Sequence, residues 1–305
     1  MTGITFKKNQ NYLNDPCKNQ TFGSNKIILT TRLMELYDKI QETVQFLKEK
    51  TGFDPEIGII LGTGLSGLAD QIDAIKEIAY GDIPHFPQST VQSHAGKLVF
   101  GHLHGRKVVA MAGRFHWYEG YSMEALTFPV RVLKMLGIQR LMISNAAGGV
   151  NEDYQAGDLV FIEDHINLHP DNPLRGKNDD RLGPRFPDML YAYDKALNEK
   201  AWNWPKSIKS VPTKECMALP GPNLETPGGV SDSYWAGADV VGMSTVPEVL
   251  VARHMELPVF VFSVVTNQCY PIEMIKETSV DDVIAMAKRT EENIKPLIKD
   301  LIAIL

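Results

Sequence analysis

Apolar residues along this chain follow two rhythms, and their alternation outlines a fold. Leu33, Tyr37, Ile40, Val44 and Leu47 recur at intervals of three and four, which predicts an amphipathic helix beginning at Thr31 and stopping at Gly52. The run Ile57-Gly58-Ile59-Ile60-Leu61 shows no polar alternation, as expected of a strand covered on both faces. Residues 98–103 and 107–112 flank a His104-Gly105-Arg106 turn and predict a hairpin, so the sheet is expected to be mixed rather than purely parallel. Ser122 is placed to cap a helix running to Gly137, with Leu126, Val130, Leu133 and Leu136 on one face and Pro129 as a bend. Further strands are predicted at 141–144, 159–163, 215–218, 240–243 and 259–265, with helices near 188–203, 226–236 and 247–256. A last helix starts with Ser279 and Asp282 three residues on, a capping pattern, and carries Val283, Ile294, Leu297, Ile298 and Leu301 towards Leu305.

Strands alternating with helices, without a linker or an internal repeat, predict one three-layer α/β domain over 29–305; residues 1–28 read as a polar arm without periodicity. A chain of 305 residues with 44% hydrophobic and 22% charged residues has ample material for a core, which excludes a disordered or fibrous protein. No apolar run approaches the roughly 18 residues that span a bilayer, and the first residues lack a signal-peptide stretch, so a cytoplasmic protein without a membrane partner is expected. Lys and Arg total 31 against 37 Asp and Glu, a formal charge of -6. That balance offers no positive field for nucleic acid, and any bound anion must be gripped by a few donors in a pocket. Cys17, Cys216 and Cys269 are odd in number and widely spaced, which argues for reduced thiols rather than a disulfide framework.

Candidate chemistry clusters where predicted strands end. Gly62-Thr63-Gly64-Leu65-Ser66-Gly67 matches the spacing of a dinucleotide fingerprint if a helix follows it. The acid that such a site needs falls at Asp82, in Tyr80-Gly81-Asp82-Ile83-Pro84 with no clean strand before it. The same glycines suit a single phosphate, to which Thr63 adds a hydroxyl, and a tight turn without a ligand is the plainer alternative. Arg114, His116 and Tyr118 alternate, so an extended segment would point all three to one side, and a guanidinium beside an imidazole suits phosphate. The alternative pairs Arg114 with a carboxylate such as Glu119; as a loop residue, Arg114 is expected to contribute little to the core. Polar groups also gather at Ser144-Asn145-Ala146-Ala147-Gly148-Gly149, Gly221-Pro222-Asn223-Leu224-Glu225-Thr226, Val241-Gly242-Met243-Ser244-Thr245-Val246-Pro247-Glu248 and Ser263-Val264-Val265-Thr266-Asn267, each readable as a turn by itself. His102 and His104 lack a third ligand at a characteristic spacing, so no metal site is expected, and His85, His165, His169 and His254 read as core or surface residues.

Taken together, Gly62-Thr63-Gly64-Leu65, Ser93-His94-Ala95-Gly96, Gly113-Arg114-Phe115-His116, Asn145-Ala146-Ala147-Gly148-Gly149, Asp164-His165-Ile166-Asn167, Gly242-Met243-Ser244-Thr245-Val246-Pro247-Glu248 and Thr266-Asn267 resemble the trimeric, higher-molecular-weight family of purine nucleoside phosphorylases, over about residues 30 to 300. The resemblance implies a twisted, partly barrel-like sheet of the phosphorylase/hydrolase type, a homotrimer, and phosphorolysis of 6-oxopurine nucleosides without a covalent intermediate. It implies no cofactor, inorganic phosphate being a co-substrate and the purine nucleoside the other partner. Carried over by position, Thr63, His94, Arg114, His116, the Ala146 backbone N–H and Ser244 would bind phosphate, and Tyr118 and Met243 the ribose. Glu225, Asn267 and Leu224 would meet the purine, with Asn267, Glu225 and His116 as the catalytic group. The chain departs from the family where Thr63 replaces a common Ser and Leu224 a common aromatic. Val280 stands near the place of a ribose-binding His in vertebrate-like members, and the 165–174 loop is shorter than the one that sends a Phe into a neighbouring subunit. The rivals are a phosphorylase of 6-aminopurines such as methylthioadenosine, whose relatives tend to carry Asp in place of Asn267, and a nicotinamide-dependent oxidoreductase built on the glycine loop.

Overall fold

A computed structural model of the chain describes residues 35–88, 96–202 and 210–305. The polar arm, the first residues of the predicted first helix, and His94 lie outside them. Among the described residues, nine strands form one sheet in the order β2-β3-β4-β1-β5-β8-β7-β6-β9. They are β1 (Ile57–Leu61), β2 (Asp73–Ala79), β3 (Lys97–Leu103), β4 (Arg106–Ala112), β5 (Arg140–Gly149), β6 (Leu159–Asn167), β7 (Ser210–Ala218), β8 (Val240–Gly242) and β9 (Val259–Gln268). A further pairing of β5 with β9 closes β5-β8-β7-β6-β9 into a ring, the barrel-like part, from which β1, β4, β3 and β2 extend as an open wing. The sheet is mixed: β4, β1, β5 and β9 run parallel, while the β3–β4 hairpin and the β5–β8 and β6–β9 pairs are antiparallel.

Alternation along β1 splits the core between two faces. Ile60 joins a cluster with Val44 of α1 (Leu36–Thr51), Leu133 of α2 (Met123–Leu136) and Val249 of α5 (Val246–His254). Ile57, Ile59 and Leu61 join a second cluster with Leu197 of α3 (Lys195–Trp202) and Ile294 and Ile298 of α6 (Val280–Ile304). Helices on both sides of the sheet therefore make three layers, while α4 (Pro227–Trp235) buries Val230 and Ser233. The expected caps are present: Ser122 Oγ accepts from the Ala125 N–H at 3.2 Å, and Ser279 and Asp282 cap α6 reciprocally.

Three expectations are corrected. β2 breaks the strand rule because it is an edge strand exposed at every position but Ile78, leaving no apolar pattern to find. The segment after the glycine loop is a 3-10 helix over Ser66–Gln71 rather than an α-helix, and β2, which precedes Asp82, is four strands from β5 and antiparallel to β3. A dinucleotide fingerprint needs an α-helix after the glycines and an acid at the end of a parallel strand beside β1, whereas Asp82 follows an antiparallel edge strand three places from β1. Finally, Asn145–Gly149, read as a turn, continues β5: after Ile143 the strand leaves β1, stays on β9 and reaches β8 at Gly148.

Candidate active site

That divergence of β5 from β1 opens a crevice at the C-terminal ends of four parallel strands, the place where open α/β sheets bind ligands. Thr63 follows β1, Arg114 follows β4, Ala146 lies in the diverging part of β5, and Asn267 lies near the end of β9. Gly62 makes the approach of loop to strand possible, since a Cβ there would lie 2.6 Å from the Ser144 carbonyl oxygen and 2.8 Å from Asn145 Cα. Its N–H donates to Ser144 Oγ at 3.3 Å.

A cavity of about 330 Å³ fills this crevice. Thr63, Arg114, His116, Tyr118, Ala146, Leu224, Glu225, Met243, Ser244 and Asn267 all line it, so every site residue named from the sequence faces one space except His94, which is outside the described residues. Two hollows of about 410 and 470 Å³ flank it and share Asn267 and Glu225 with it, but they lack Arg114 and His116. The volume suits a small organic ligand.

Arg114 is 1% exposed and held on three sides. Its Nη2 and Nε donate to Glu248 at 2.6 and 3.3 Å, and Nη1 donates to the Ser144 carbonyl at 2.9 Å and to Ser244 Oγ at 3.1 Å. Glu248 is thus the carboxylate partner, not Glu119, and Arg114 belongs to the interior. Glu119 serves His116 instead: its Oε1 accepts from the His116 backbone N–H at 2.7 Å and stands 3.1 Å from Nδ1. Burial holds the His116 pKa below the ordinary imidazole range, against the opposing pull of the Glu119 hydrogen bond. Tyr118 sits on a short 3-10 turn rather than an extended segment and stacks its ring on His116, centroids 4.7 Å apart. Burial raises its phenol to about 12.

Ser244 is delivered by a strained turn. Thr245 has φ 71° and ψ −56°, with the Val246 N–H donating to the Ser244 carbonyl at 2.8 Å. A β-branched residue with this backbone is a true outlier, costing on the order of 1–3 kcal/mol, and such strain gathers at functional sites. Asn145 Nδ2 holds the turn by donating to Thr245 Oγ1 at 2.7 Å. On the opposite side, Thr266 Oγ1 donates to Asn267 Oδ1 at 3.0 Å and Asn267 Nδ2 donates to Cys269 Sγ at 3.1 Å. Each end of that amide retains one further bonding direction. Burial raises the Glu225 carboxyl above its usual range.

The family model described as Phosphorylase superfamily matches residues 56–303. Purine nucleoside phosphorylase 1 of Geobacillus stearothermophilus is 47% identical over 264 residues, 86% of this chain and 96% of its own length. The mouse purine nucleoside phosphorylase is 48% identical over 238 residues, 76% of this chain and 82% of its own. The chain belongs to the purine nucleoside phosphorylases. A solved purine nucleoside phosphorylase of Schistosoma mansoni in complex with adenosine superposes with a TM-score of 0.81 at 39% identity, covering 87% of this chain and 96% of that one. A second isoform from that organism, in complex with cytosine and ribose-1-phosphate, superposes with the same TM-score at 38% identity.

As a purine nucleoside phosphorylase, the chain also uses residues whose roles its sequence left unread. Glu248, Asn145 and Thr245 build the wall behind Arg114 and Ser244, and Cys269 backs Asn267. Their signals are long-range: the Arg114–Glu248 pair spans 134 positions and Asn145–Thr245 spans 100, so no local spacing announces them.

Proposed function

We propose that the residues lining this cavity carry out phosphorolysis of 6-oxopurine nucleosides in the roles the family pattern suggests. Thr63, Arg114, His116, the Ala146 N–H and Ser244 hold phosphate; Tyr118 and Met243 border the pentose; Glu225 and Asn267 take the base, with Leu224 beside it. The observation carrying the assignment is the convergence in one cavity of a buried guanidinium 3.1 Å from Ser244 Oγ with a carboxylate and an amide across from it. A phosphate oxygen forms the new bond to C1′ as the C1′–N9 bond breaks and its electron pair moves into the purine. Oriented donors stabilise the reacting anion, and the base leaves without full negative charge because N7 takes a proton from solvent, the resulting N7–H being held by an acceptor.

Base choice follows from donor and acceptor counting. Glu225 as carboxylate accepts from N1–H, while Asn267 donates through Nδ2 to O6 and accepts through Oδ1 from N7–H. Adenine inverts the first two groups and leaves buried polar atoms unpaired, at about 1–3 kcal/mol each. The family resemblance also supports a homotrimer, which light scattering of the purified protein tests.

The experiment is release of free base from inosine, guanosine and adenosine, with and without phosphate or arsenate. Cleavage is expected only with the anion present, with kcat/KM for inosine at least about a hundredfold above adenosine. Equal cleavage in phosphate-free buffer overturns the phosphate assignment, and comparable constants for the two nucleosides favour a 6-aminopurine phosphorylase. Asn267→Asp is expected to narrow the ratio from both ends, because Asp loses the donor to O6 and accepts from an amino group.

A further inference from the structure

The glycine loop faces the cavity at Thr63, and on its other side it meets α6 along one stripe of that helix. Val280 and Val283 line the cavity, Ala287 lies beneath Gly64 and Glu291 reaches Gly67. Steps of three and four residues keep these four on one face. At Gly64, where φ is +75°, a Cβ would lie 2.5 Å from Ala287 Cβ and 3.2 Å from the Ile284 carbonyl oxygen. At Gly67 the backbone N–H donates to Glu291 Oε2 at 3.2 Å, and a Cβ would collide with the same carboxylate. Only 5% of Glu291 is exposed. Lys295 Nζ lies between two carboxylates, 3.3 Å from Glu291 Oε1 and 2.5 Å from Glu292 Oε1, and the 3-10 helix is tied again where Gln71 Nε2 donates to the Lys295 carbonyl at 3.4 Å.

None of the catalytic roles assigned above uses Glu291. A buried carboxylate aimed at a glycine-loop N–H does for that donor what a bound anion does elsewhere: it satisfies the group and fixes the backbone around it. The donor therefore serves the protein's own carboxylate and is turned away from any ligand. Three glycines in six residues give the loop large conformational freedom when untethered, and freezing it would then be a cost of binding phosphate.

We infer that Glu291, with Lys295 as its counter-charge, is a positioning residue for phosphate: it clamps the Gly67 end of the loop so that the Thr63 hydroxyl stands ready at the phosphate subsite. The inference rests on the reading of Thr63 as a phosphate ligand. Glu291 touches no reacting atom, so its loss affects the binding of one co-substrate rather than the chemical step.

The test is steady-state kinetics with phosphate varied at saturating inosine and inosine varied at saturating phosphate, for the full chain and for Glu291→Ala, Glu291→Gln, Lys295→Met and Thr63→Ala. Glu291→Ala is expected to raise the phosphate KM about five- to twentyfold while kcat and the inosine KM stay within about twofold. Gln, whose amide oxygen still accepts from the Gly67 N–H, recovers most of the loss, and Lys295→Met falls between. An unchanged phosphate KM in Glu291→Ala overturns the inference whatever happens to the melting temperature. So does a joint rise of both KM values with a fall in kcat, the mark of a merely structural role. If the Ala variant does not fold, Glu291→Gln and Lys295→Met are judged by the same split, a selective rise in phosphate KM supporting the clamp and its absence overturning it. A Thr63→Ala variant with raised phosphate KM beside an unaffected Glu291→Ala sinks the clamp alone; an unaffected Thr63→Ala sinks the phosphate reading of the loop and the clamp with it.

Discussion

Arg114 and Glu248 meet as an ion pair at 2.6 Å with side chains 1% and 5% exposed, on a wall of the cavity proposed to receive phosphate. The pair neutralises a charge the interior would not otherwise tolerate, and it aims the opposite edge of the guanidinium at Ser244.

Removing either partner strands the other as a buried charge, at about 3–5 kcal/mol. Arg114→Ala and Glu248→Ala are therefore both expected to lower the melting temperature and to raise the phosphate requirement at least about tenfold. The double substitution Arg114→Met with Glu248→Gln should recover most of the stability and none of the phosphate affinity. Thermal melts alongside phosphate titrations check this, and a double variant as unstable as the single ones contradicts the burial argument.

His116 is expected to act as the neutral ring. An ionised Glu119 only accepts, so Nδ1 carries the proton in the neutral tautomer and Nε2 carries the lone pair, with which it takes the O–H of a protonated phosphate. With its pKa lowered by burial, the ring stays neutral down to a pH below the ordinary histidine range, and activity should fall as pH drops through that lowered value. Glu119→Gln removes an interaction that raises the pKa, so the acid limb should move further down. The pH profile of kcat/KM for the wild type and Glu119→Gln measures it; a limb moving up reverses the assignment.

Glu225→Gln should stabilise the ligand-free protein at neutral pH and impair turnover. Burial raises the Glu225 pKa, so the folded state binds more protons than the unfolded state between the ordinary carboxyl value and the raised one. Stability contributed by this group is present below that window and lost as pH rises through it. The Gln variant should therefore melt higher than wild type at pH 7 and lose that advantage near pH 4, while kcat/KM for inosine falls at least about tenfold. Melting curves at the two pH values with kinetics at pH 7 decide it; a Gln variant less stable at pH 7 speaks against an unfavourably buried carboxylate.

The pattern of apolar residues was enough to place β1, the β3–β4 hairpin, the capped ends of α2 and α6, and the glycine loop, because burial of both strand faces and satisfaction of helix ends are local demands that leave local marks. The motif residues that gather around the cavity were legible for a related reason: small and hydroxylated residues stand where strands end and backbone must approach a ligand. The edge strand β2 left no such mark, since Ile78 is its one buried residue. Whether Asn145–Gly149 turns or continues as strand depended on β9 and β8 lying alongside to take its backbone hydrogen bonds. Which carboxylate meets Arg114, what holds Thr245 in its strained turn and what clamps Gly67 depended on pairings across 134, 100 and 224 positions. Those pairings exist only once the sheet has set its strand order and brought α5 and α6 against it, because a buried charge or N–H takes whichever complementary group packing delivers, and sequence spacing carries no record of that delivery.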